Sequence, residues 1–337
     1  MNLETWYPKA KFKFNLPKTK NIVAGGLLLA SISGSIALGK IANEYLYWKK
    51  TKDIYTAAVV SAPVDYSFLK PFRNWKTGEL EGLKAKSAIS LVTDSGSPRM
   101  IFDKSPDEIM PIASLTKLLT AYIVLQNYEL DQEVVISQRA VDTEEIIGGF
   151  WVGEKFTVDQ LLHSILIESS NDAARALAEI MGEQQFVNLM NKKVKEIGLK
   201  YTHFIDPIGL DPDFFGGGYN YSTANDLAMM VRHILQEADT NPEIARIFEI
   251  TRNPKYPITL ANGRVHHEAI STNKLLSEFP NTFGAKTGQT PIAGQCLLVI
   301  MPQPKNGGHV INIVLGSSDR FKDMENIINW INTAFVW

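Results

Sequence analysis

Strand patterns lie at both ends of residues 86–337, and helix patterns lie between them. Residues 87–93 form a strand candidate, followed by a turn and a second short strand near residues 99–102. Two apolar runs, 296–301 and 310–315, are joined by a segment rich in proline and glycine. Since strands must pair, we predict one sheet built from both ends of the region around a helical insertion, which is an α+β architecture.

Helix patterns fill the middle of the region and its C-terminal end. From Ser114 to Leu125 the sequence is apolar nearly all round, which predicts a buried helix. Capping pairs predict helix starts at Thr157 and Thr223, and another helix is expected from about Asp172 to Met181. The C-terminal helix should place these apolar residues on one face: Phe321, Met324, Ile328, Ile331 and Phe335.

The composition is that of a folded protein with a basic N-terminal segment. Of the 337 residues, 45% are hydrophobic and 21% are charged, which excludes a chain disordered throughout. Residues 1–52 hold nine lysines and two glutamates, which leaves 25 basic and 34 acidic residues for the rest. An acidic body suits nucleic acid poorly, so no nucleic-acid partner is expected. The single cysteine, Cys296, excludes an intramolecular disulfide framework, and its apolar run predicts a core position.

The N-terminal segment has the pattern of a membrane signal. Residues 21–39 carry no charge, and five lysines lie in the basic segment 1–20. By the positive-inside rule, residues 1–20 stay in the cytoplasm and the chain after residue 40 lies outside, in the periplasm or at the cell exterior. A cleaved signal peptide also fits, but the cleavage sequence is poor, so we favour a single-pass transmembrane anchor. Residues 40–85 are then a stalk, and residues 86–337 are the folded domain.

The first of three short motifs is Ser114-x-x-Lys117, in which the two side chains share one face of the predicted helix. A serine becomes a useful nucleophile only when a nearby base takes its proton. A lysine can do this only when uncharged, and its free pKa is about 10.4. Burial or a neighbouring cation would therefore be needed at Lys117.

The other two motifs bring hydroxyl, amide and amine groups. Residues 169–171, Ser-Ser-Asn, lie where two predicted helices meet and can present a hydroxyl and an amide to a cleft. Residues 286–288, Lys-Thr-Gly, precede a predicted strand, where lysine and threonine can clamp a carboxylate. The glycine would let a substrate backbone approach closely.

Each motif is common by itself, but the three together in this order are specific. The chain from Lys86 onward resembles the D-alanyl-D-alanine carboxypeptidases, the low-molecular-weight penicillin-binding proteins. The resemblance also rests on residues 112–121, 170–173, 206–211, 221–228 and 286–294. It implies an antiparallel sheet flanked by helices with an all-helical subdomain. The implied partners are peptidoglycan stem peptides ending in D-Ala-D-Ala as substrate, β-lactam antibiotics as covalent inhibitors, and a membrane.

The resemblance also implies the residues that act. Ser114 would be the acylated nucleophile and Lys117 its general base. Ser169 would relay a proton to the leaving amine, and Asn171 would hold Lys117 and the substrate amide.

The substrate-binding residues follow from the same resemblance. Lys286 would lower the pKa of Lys117 and, with Thr287, bind the terminal carboxylate, next to Gly288. The backbone N–H groups of Ser114 and Gln289 would form the oxyanion hole. Arg320 would be a further carboxylate-binding residue.

Three alternatives stay open at this point. A class A β-lactamase needs a glutamate for the deacylating water, and residues 200–215 contain none. A DD-endopeptidase that cleaves peptidoglycan cross-links would use the same motifs, and a non-hydrolytic penicillin-binding sensor module would keep the fold. No cofactor or metal is expected, since the six histidines show no metal-ligand spacing.

Overall fold

The computed structural model describes residues 71–93, 97–143, 148–212, 218–304 and 307–337. Their strands, in chain order, are β1 (Phe72–Arg73), β2 (Ser87–Thr93), β3 (Arg99–Lys104), β4 (Met110–Pro111), β5 (Glu133–Val135), β6 (Lys155–Thr157), β7 (Tyr221–Ser222), β8 (Lys255–Thr259), β9 (Val265–Ile270), β10 (Gly284–Thr290), β11 (Gly294–Pro302), β12 (His309–Ser317) and β13 (Phe335–Val336). Their α-helices are α1 (Thr116–Asn127), α2 (Gln138–Val141), α3 (Val158–Ile167), α4 (Asn171–Glu179), α5 (Glu183–Ile197), α6 (Ala224–Ala238), α7 (Pro242–Thr251) and α8 (Arg320–Ala334).

A five-stranded antiparallel sheet joins the two ends of this region. Its strand order is β10-β11-β12-β2-β3. The N-terminal strand β2 pairs with the C-terminal strand β12, with Ser87 opposite Leu315. Strand β2 is buried along its whole length because both faces of the sheet are covered. The predicted sheet built from both ends of the region is confirmed.

Helices cover the sheet on both faces. Helix α8 packs on one face with Met324, Ile327 and Ile328 in a core cluster shared with β2, β11 and β12. A larger core cluster joins the other face to helices α1 and α3 to α7. Helix α1 runs through this second cluster and is buried from Thr116 to Leu125, as its uniformly apolar sequence predicts.

The predicted helix starts are correct, and side-chain caps hold them. Thr157 Oγ1 accepts from Gln160 N (3.3 Å) at the start of α3, and Thr223 Oγ1 accepts from Asp226 N (3.0 Å) at α6. These caps satisfy backbone donors that have no partner within the helix.

Cys296 is completely buried, and burial raises the pKa of its thiol to about 11.

The structure contains a hairpin and an N-terminal strand that the sequence did not predict. The β8–β9 hairpin was not predicted, because Pro257 and two adjacent histidines obscure its alternation. Residues 71–85, part of the predicted stalk, include β1, which pairs with β13, and Ala85, which is buried in the core cluster of α8. The predicted basic segment, the membrane segment and the stalk up to residue 70 lie outside the described residues. Within the described ranges, no helix is long and apolar enough to cross a membrane.

Candidate active site

Ser114 lies in a strained turn at the entrance to α1. It is the middle residue of a 3₁₀ turn, Ala113–Leu115, that continues directly into the helix. Ala113 has φ +47°, a left-handed conformation that costs a non-glycine residue about 1–2 kcal/mol. Gly209 packs on this turn so closely that a Cβ there would lie 2.0 Å from Ala113 O. The surrounding chain thus fixes the turn and leaves Ser114 half-buried at the surface of the site.

Lys117 is completely buried, and its amine contacts three oxygen atoms. Nζ lies 2.8 Å from Ser114 Oγ, 2.7 Å from Asn171 Oδ1 and 3.1 Å from the carbonyl oxygen of Ile208. A neutral amine has two N–H groups and one lone pair. The amide and carbonyl oxygens can only accept, so they take the two N–H groups and leave the lone pair for the Ser114 hydroxyl proton. This arrangement suits proton transfer from Ser114 to Lys117.

The second motif forms the turn between α3 and α4. Ser170 caps α4 by accepting from Ala173 N (3.2 Å), which places Asn171 at the first helical position, facing Lys117. Ser169 has φ +70° and is nearly buried, and its Oγ lies 2.8 Å from Lys286 Nζ. The turn therefore places the Asn171 amide against Lys117 of the first motif and the Ser169 hydroxyl against Lys286 of the third.

The third motif lies inside a strand, not before one. Lys286, Thr287 and Gly288 belong to β10, the edge strand of the sheet. Lys286 is 2% exposed, and Nζ donates to Ser169 Oγ and to the carbonyl oxygen of Thr287 (3.0 Å). Burial holds the pKa of Lys286 well below its ordinary value, and the Lys117 amine, when it is protonated, and the Arg320 guanidinium add to this effect. A bound carboxylate would favour its charged form.

The Ser114 turn leaves no room for a side chain at position 288. A Cβ at this position would lie 2.9 Å from Ser114 N and 3.1 Å from Ala113 Cβ. From the sequence, we expected Gly288 to make room for a substrate backbone. In the structure, the segment that lies against Gly288 is the backbone of the Ser114 turn. The absence of a side chain brings β10 against the turn and places Gln289, which is exposed, next in the strand.

Arg320 begins helix α8 and reaches the same strand. Its Nη1 donates to the carbonyl oxygen of Gly288 (2.8 Å), and its guanidinium lies 4.9 Å from the Phe321 ring. Burial lowers the pKa of Arg320 from its ordinary value. The structure thus brings Arg320 together with the three motifs.

A cavity of about 120 Å³ lies where these elements meet. Its walls contain Ser114, Ser169, residues 287–289 and Arg320, together with Thr272. A hydroxyl with a buried amine beside it, in a cavity that Arg320 also lines, can transfer an acyl group from a substrate that carries a carboxylate.

Three residues that contact the site or hold its strand were not identified from the sequence: Thr272, Ile208 and Asp211. Thr272, which follows β9, shares a hydrogen bond with Thr287 (Oγ1 to Oγ1, 2.5 Å). Ile208 contributes only a backbone carbonyl, which side-chain chemistry cannot reveal. Asp211 accepts from Thr290 Oγ1 (2.6 Å) and Ile292 N (2.8 Å), and so holds the end of β10. Residues 206–211 carried the family resemblance, and that was the available signal for the last two.

Known proteins share both the sequence and the fold. The carboxypeptidase DacF of Bacillus subtilis is 30% identical over 269 residues, which cover 77% of this chain and 64% of that protein. The chain thus matches less than two thirds of that relative. The D-alanyl-D-alanine endopeptidase of Pseudomonas aeruginosa is 32% identical over 264 residues, 74% of this chain and 78% of that protein.

The fold agrees with a solved structure of penicillin-binding protein D2 from Listeria monocytogenes in its cefotaxime-bound form. The TM-score is 0.63 at 28% identity, over 75% of this chain and 99% of that one. The sequence profile of the D-alanyl-D-alanine carboxypeptidases matches residues 75–319, which is most of the chain. The resemblance that the three motifs indicate is therefore confirmed, and the chain belongs to the D-alanyl-D-alanine carboxypeptidase family of serine-type peptidases.

Proposed function

We propose that this chain removes the terminal D-alanine from peptidoglycan stem peptides ending in D-Ala-D-Ala, through an acyl-enzyme on Ser114. The observation that carries the proposal is the 2.8 Å contact between Ser114 Oγ and Nζ of the completely buried Lys117. A serine and a lysine one helical turn apart are common, but a completely buried lysine whose amine contacts the serine hydroxyl is not. Such a lysine is suited to act as a base.

The substrate would lie along β10 as an added strand. This strand is at the edge of the sheet, so one side of its backbone can pair with an extended peptide. The terminal carboxylate would bind at Thr287, Lys286 and Arg320. In the structure the partners of Lys286 Nζ are two neutral oxygens, so an arriving carboxylate would supply the missing negative charge.

Acylation needs two proton transfers. Ser114 Oγ attacks the carbonyl carbon of the penultimate D-alanine while Lys117 Nζ takes the hydroxyl proton. The N–H groups of Ser114 and Gln289 stabilise the negative oxygen of the tetrahedral intermediate. The C–N bond then breaks, and the leaving D-alanine amine receives a proton through Ser169. Water hydrolyses the ester, which restores Ser114 and releases the shortened peptide.

An endopeptidase is the second candidate function, because relatives with that name match the chain about as well as carboxypeptidases do. The Pseudomonas endopeptidase is 32% identical, and the Bacillus carboxypeptidase is 30% identical. Both reactions break an amide after a D-alanine and use the same acyl-enzyme chemistry. The room beyond the carboxylate-binding residues distinguishes them, since a cross-link continues past that point.

Two further features complete the proposal. β-Lactam antibiotics would acylate Ser114 and block it, which is supported by the cefotaxime-bound form of the Listeria relative. Residues 21–39 would anchor the chain in the membrane, with the domain on the outer side. The charge-free segment and its preceding lysines support this location, and so does the extracytoplasmic position of peptidoglycan.

The test is incubation of the purified protein with muropeptides, followed by mass spectrometry. Loss of one D-alanine from pentapeptide stems is the expected product, whereas separation of cross-linked dimers would identify an endopeptidase. Ser114→Ala serves as the control, and it should also lose covalent labelling by a fluorescent penicillin. No turnover by a wild-type protein that still binds penicillin would indicate a sensor module and reject both enzymatic proposals.

A further inference from the structure

Glu168 is a buried carboxylate that the mechanism above does not use. It follows α3 directly, precedes Ser169 and is 7% exposed. Its Oε1 accepts from Ser164 Oγ (2.6 Å) and from His267 Nε2 (2.9 Å). A carboxylate is costly to bury, so these two hydrogen bonds to one oxygen indicate a fixed position.

Two adjacent histidines on β9, His267 and His266, continue the hydrogen-bond chain from Glu168 away from the active site. Since the Glu168 carboxylate can only accept, His267 carries its proton on Nε2. Its Nδ1 therefore accepts from Nδ1–H of His266, 2.6 Å away. His266 Nε2 in turn lies 3.3 Å from Glu154 Oε2, and Phe150 stacks on its ring at 5.6 Å.

Protonation of the histidines is not needed to hold Glu168. Two neutral imidazoles supply the two protons that the His266–His267 and His267–Glu168 contacts require. A third proton, on His266 Nε2, is required only for that nitrogen to donate to Glu154. Burial lowers the pKa of His266, and Glu154 opposes this effect. The other titratable or charged neighbours of His266 are His267, Glu168 and Arg264.

Ser169 needs such support because its backbone is strained. Its φ of +70° costs a non-glycine residue about 1–2 kcal/mol, so the residues on either side must hold it. On the C-terminal side, Ser170 donates its N–H to Ser164 O (3.3 Å) and caps α4. On the N-terminal side, the anchor is the Glu168 side chain.

The segment that follows β9 contacts the third motif. Thr272, two residues after β9, donates its N–H to Ile167 O (3.1 Å) and shares a hydrogen bond with Thr287. Strand β9 and the residues that follow it therefore contact both the turn that carries Ser169 and the strand that carries Lys286. These two side chains meet at 2.8 Å.

We propose that Glu168, held by Ser164 and His267, is a positioning residue that fixes the backbone of Ser169 and directs its hydroxyl toward Lys286. The inference rests on the proposed function, in which Ser169 carries a proton to the leaving group. Glu168 itself touches no reacting atom in this scheme.

A double-mutant cycle separates this role from general stabilisation. In the wild-type background, Glu168→Ala should slow acylation by a fluorescent penicillin about 10–100-fold, since a displaced catalytic group costs up to about 10²-fold. In the Ser169→Ala background the same substitution should change the rate little, because the group it positions is gone. Glu168→Gln keeps the Oε1 acceptor and should recover most of the lost rate.

The matched control is Glu268→Ala, on β9 next to His267. The Glu268 carboxylate pairs with Lys255 (3.1 Å) at a half-exposed position, and this variant should acylate at the wild-type rate. Rates are compared at a temperature at which thermal unfolding shows every variant to be folded. Equal losses from Glu168→Ala in both backgrounds, or no loss in either, would overturn the proposal. The Ser114→Ala control tests the proposed nucleophile separately, whatever Glu168 does.

Discussion

Gly288→Ala is the substitution whose effect the geometry defines best. The added Cβ would lie 2.9 Å from Ser114 N, 3.1 Å from Ala113 Cβ and 3.1 Å from Ile112 O. Ordinary van der Waals contacts begin at 3.4 Å, so β10 and the Ser114 turn must separate by about 0.5 Å. Gly288 has no positive φ, so alanine fits its backbone conformation and the clash is the only perturbation.

The expected result is a large loss of acylation with a modest loss of stability. Ser114 N is one of the two proposed oxyanion donors, and such donors act at about 2.7–3.1 Å. Removal of a donor costs about 10²–10³-fold, so a displacement of this size should cost about 10²-fold. Overpacking should reduce the free energy of unfolding by about 1–3 kcal/mol.

The assay is the second-order rate of acylation by a fluorescent penicillin, measured at several concentrations. Gly78→Ala is the matched control, since a Cβ there meets nothing within 4 Å and the residue has no positive φ. Unfolding in urea reports the stability of both variants. If Gly288→Ala acylates at the wild-type rate while remaining folded, the close contact does not set the oxyanion geometry and the reasoning is wrong.

Four further predictions follow from the site and from the N-terminal sequence. Lys117→Arg should nearly abolish penicillin acylation, because a guanidinium does not deprotonate, whereas Lys286→Arg should keep measurable acylation; equal impairment would contradict the division of roles. Gly209→Ala should be poorly folded, judged by Tm, because its Cβ would overlap Ala113 O. Since the folded state holds Lys286 with a lowered pKa, the unfolded state binds more protons between that lowered pKa and about pH 10.5. The free energy of unfolding should therefore rise with pH, relative to Lys286→Met, by up to about 1.4 kcal/mol per pH unit, and urea titrations at several pH values check the sign. A reporter fused after Trp337 should be active only outside the cytoplasm, and cytoplasmic activity would reject the proposed topology.

The sequence predicted the parts of the fold that depend on local patterns. Strand β2 was predicted with its observed bounds, and the caps at Thr157 and Thr223 mark real helix starts. The β10 strand was missed, because Gly284 and Gly288 lower its strand propensity and its hydrophobic alternation is weak. Its position in the sheet depends on pairing with β11, which lies further along the chain.

In the candidate site too, the sequence identified the side chains but not the features that depend on the backbone or on tertiary packing. Serine, lysine and asparagine were identified from side-chain chemistry and motif order, and the structure brings all three motifs together. The carbonyl of Ile208 and the left-handed turns at Ala113 and Ser169 are backbone features that no residue type indicates. Lys286 was expected to be charged, but the burial that disfavours this charge comes from tertiary packing.

The pairing of β2 with β12 has a consequence for the timing of folding. Thr93 and His309 lie 216 residues apart in the chain, and the sheet that holds β10 needs this contact. At about 5–20 residues per second, a ribosome makes β2 roughly 10–40 s before its partner strand exists. Pairing over such a sequence separation is also intrinsically slow. The binding strand should therefore be assembled only after synthesis of the C-terminal strands, and chains truncated before His309 should take up no penicillin label.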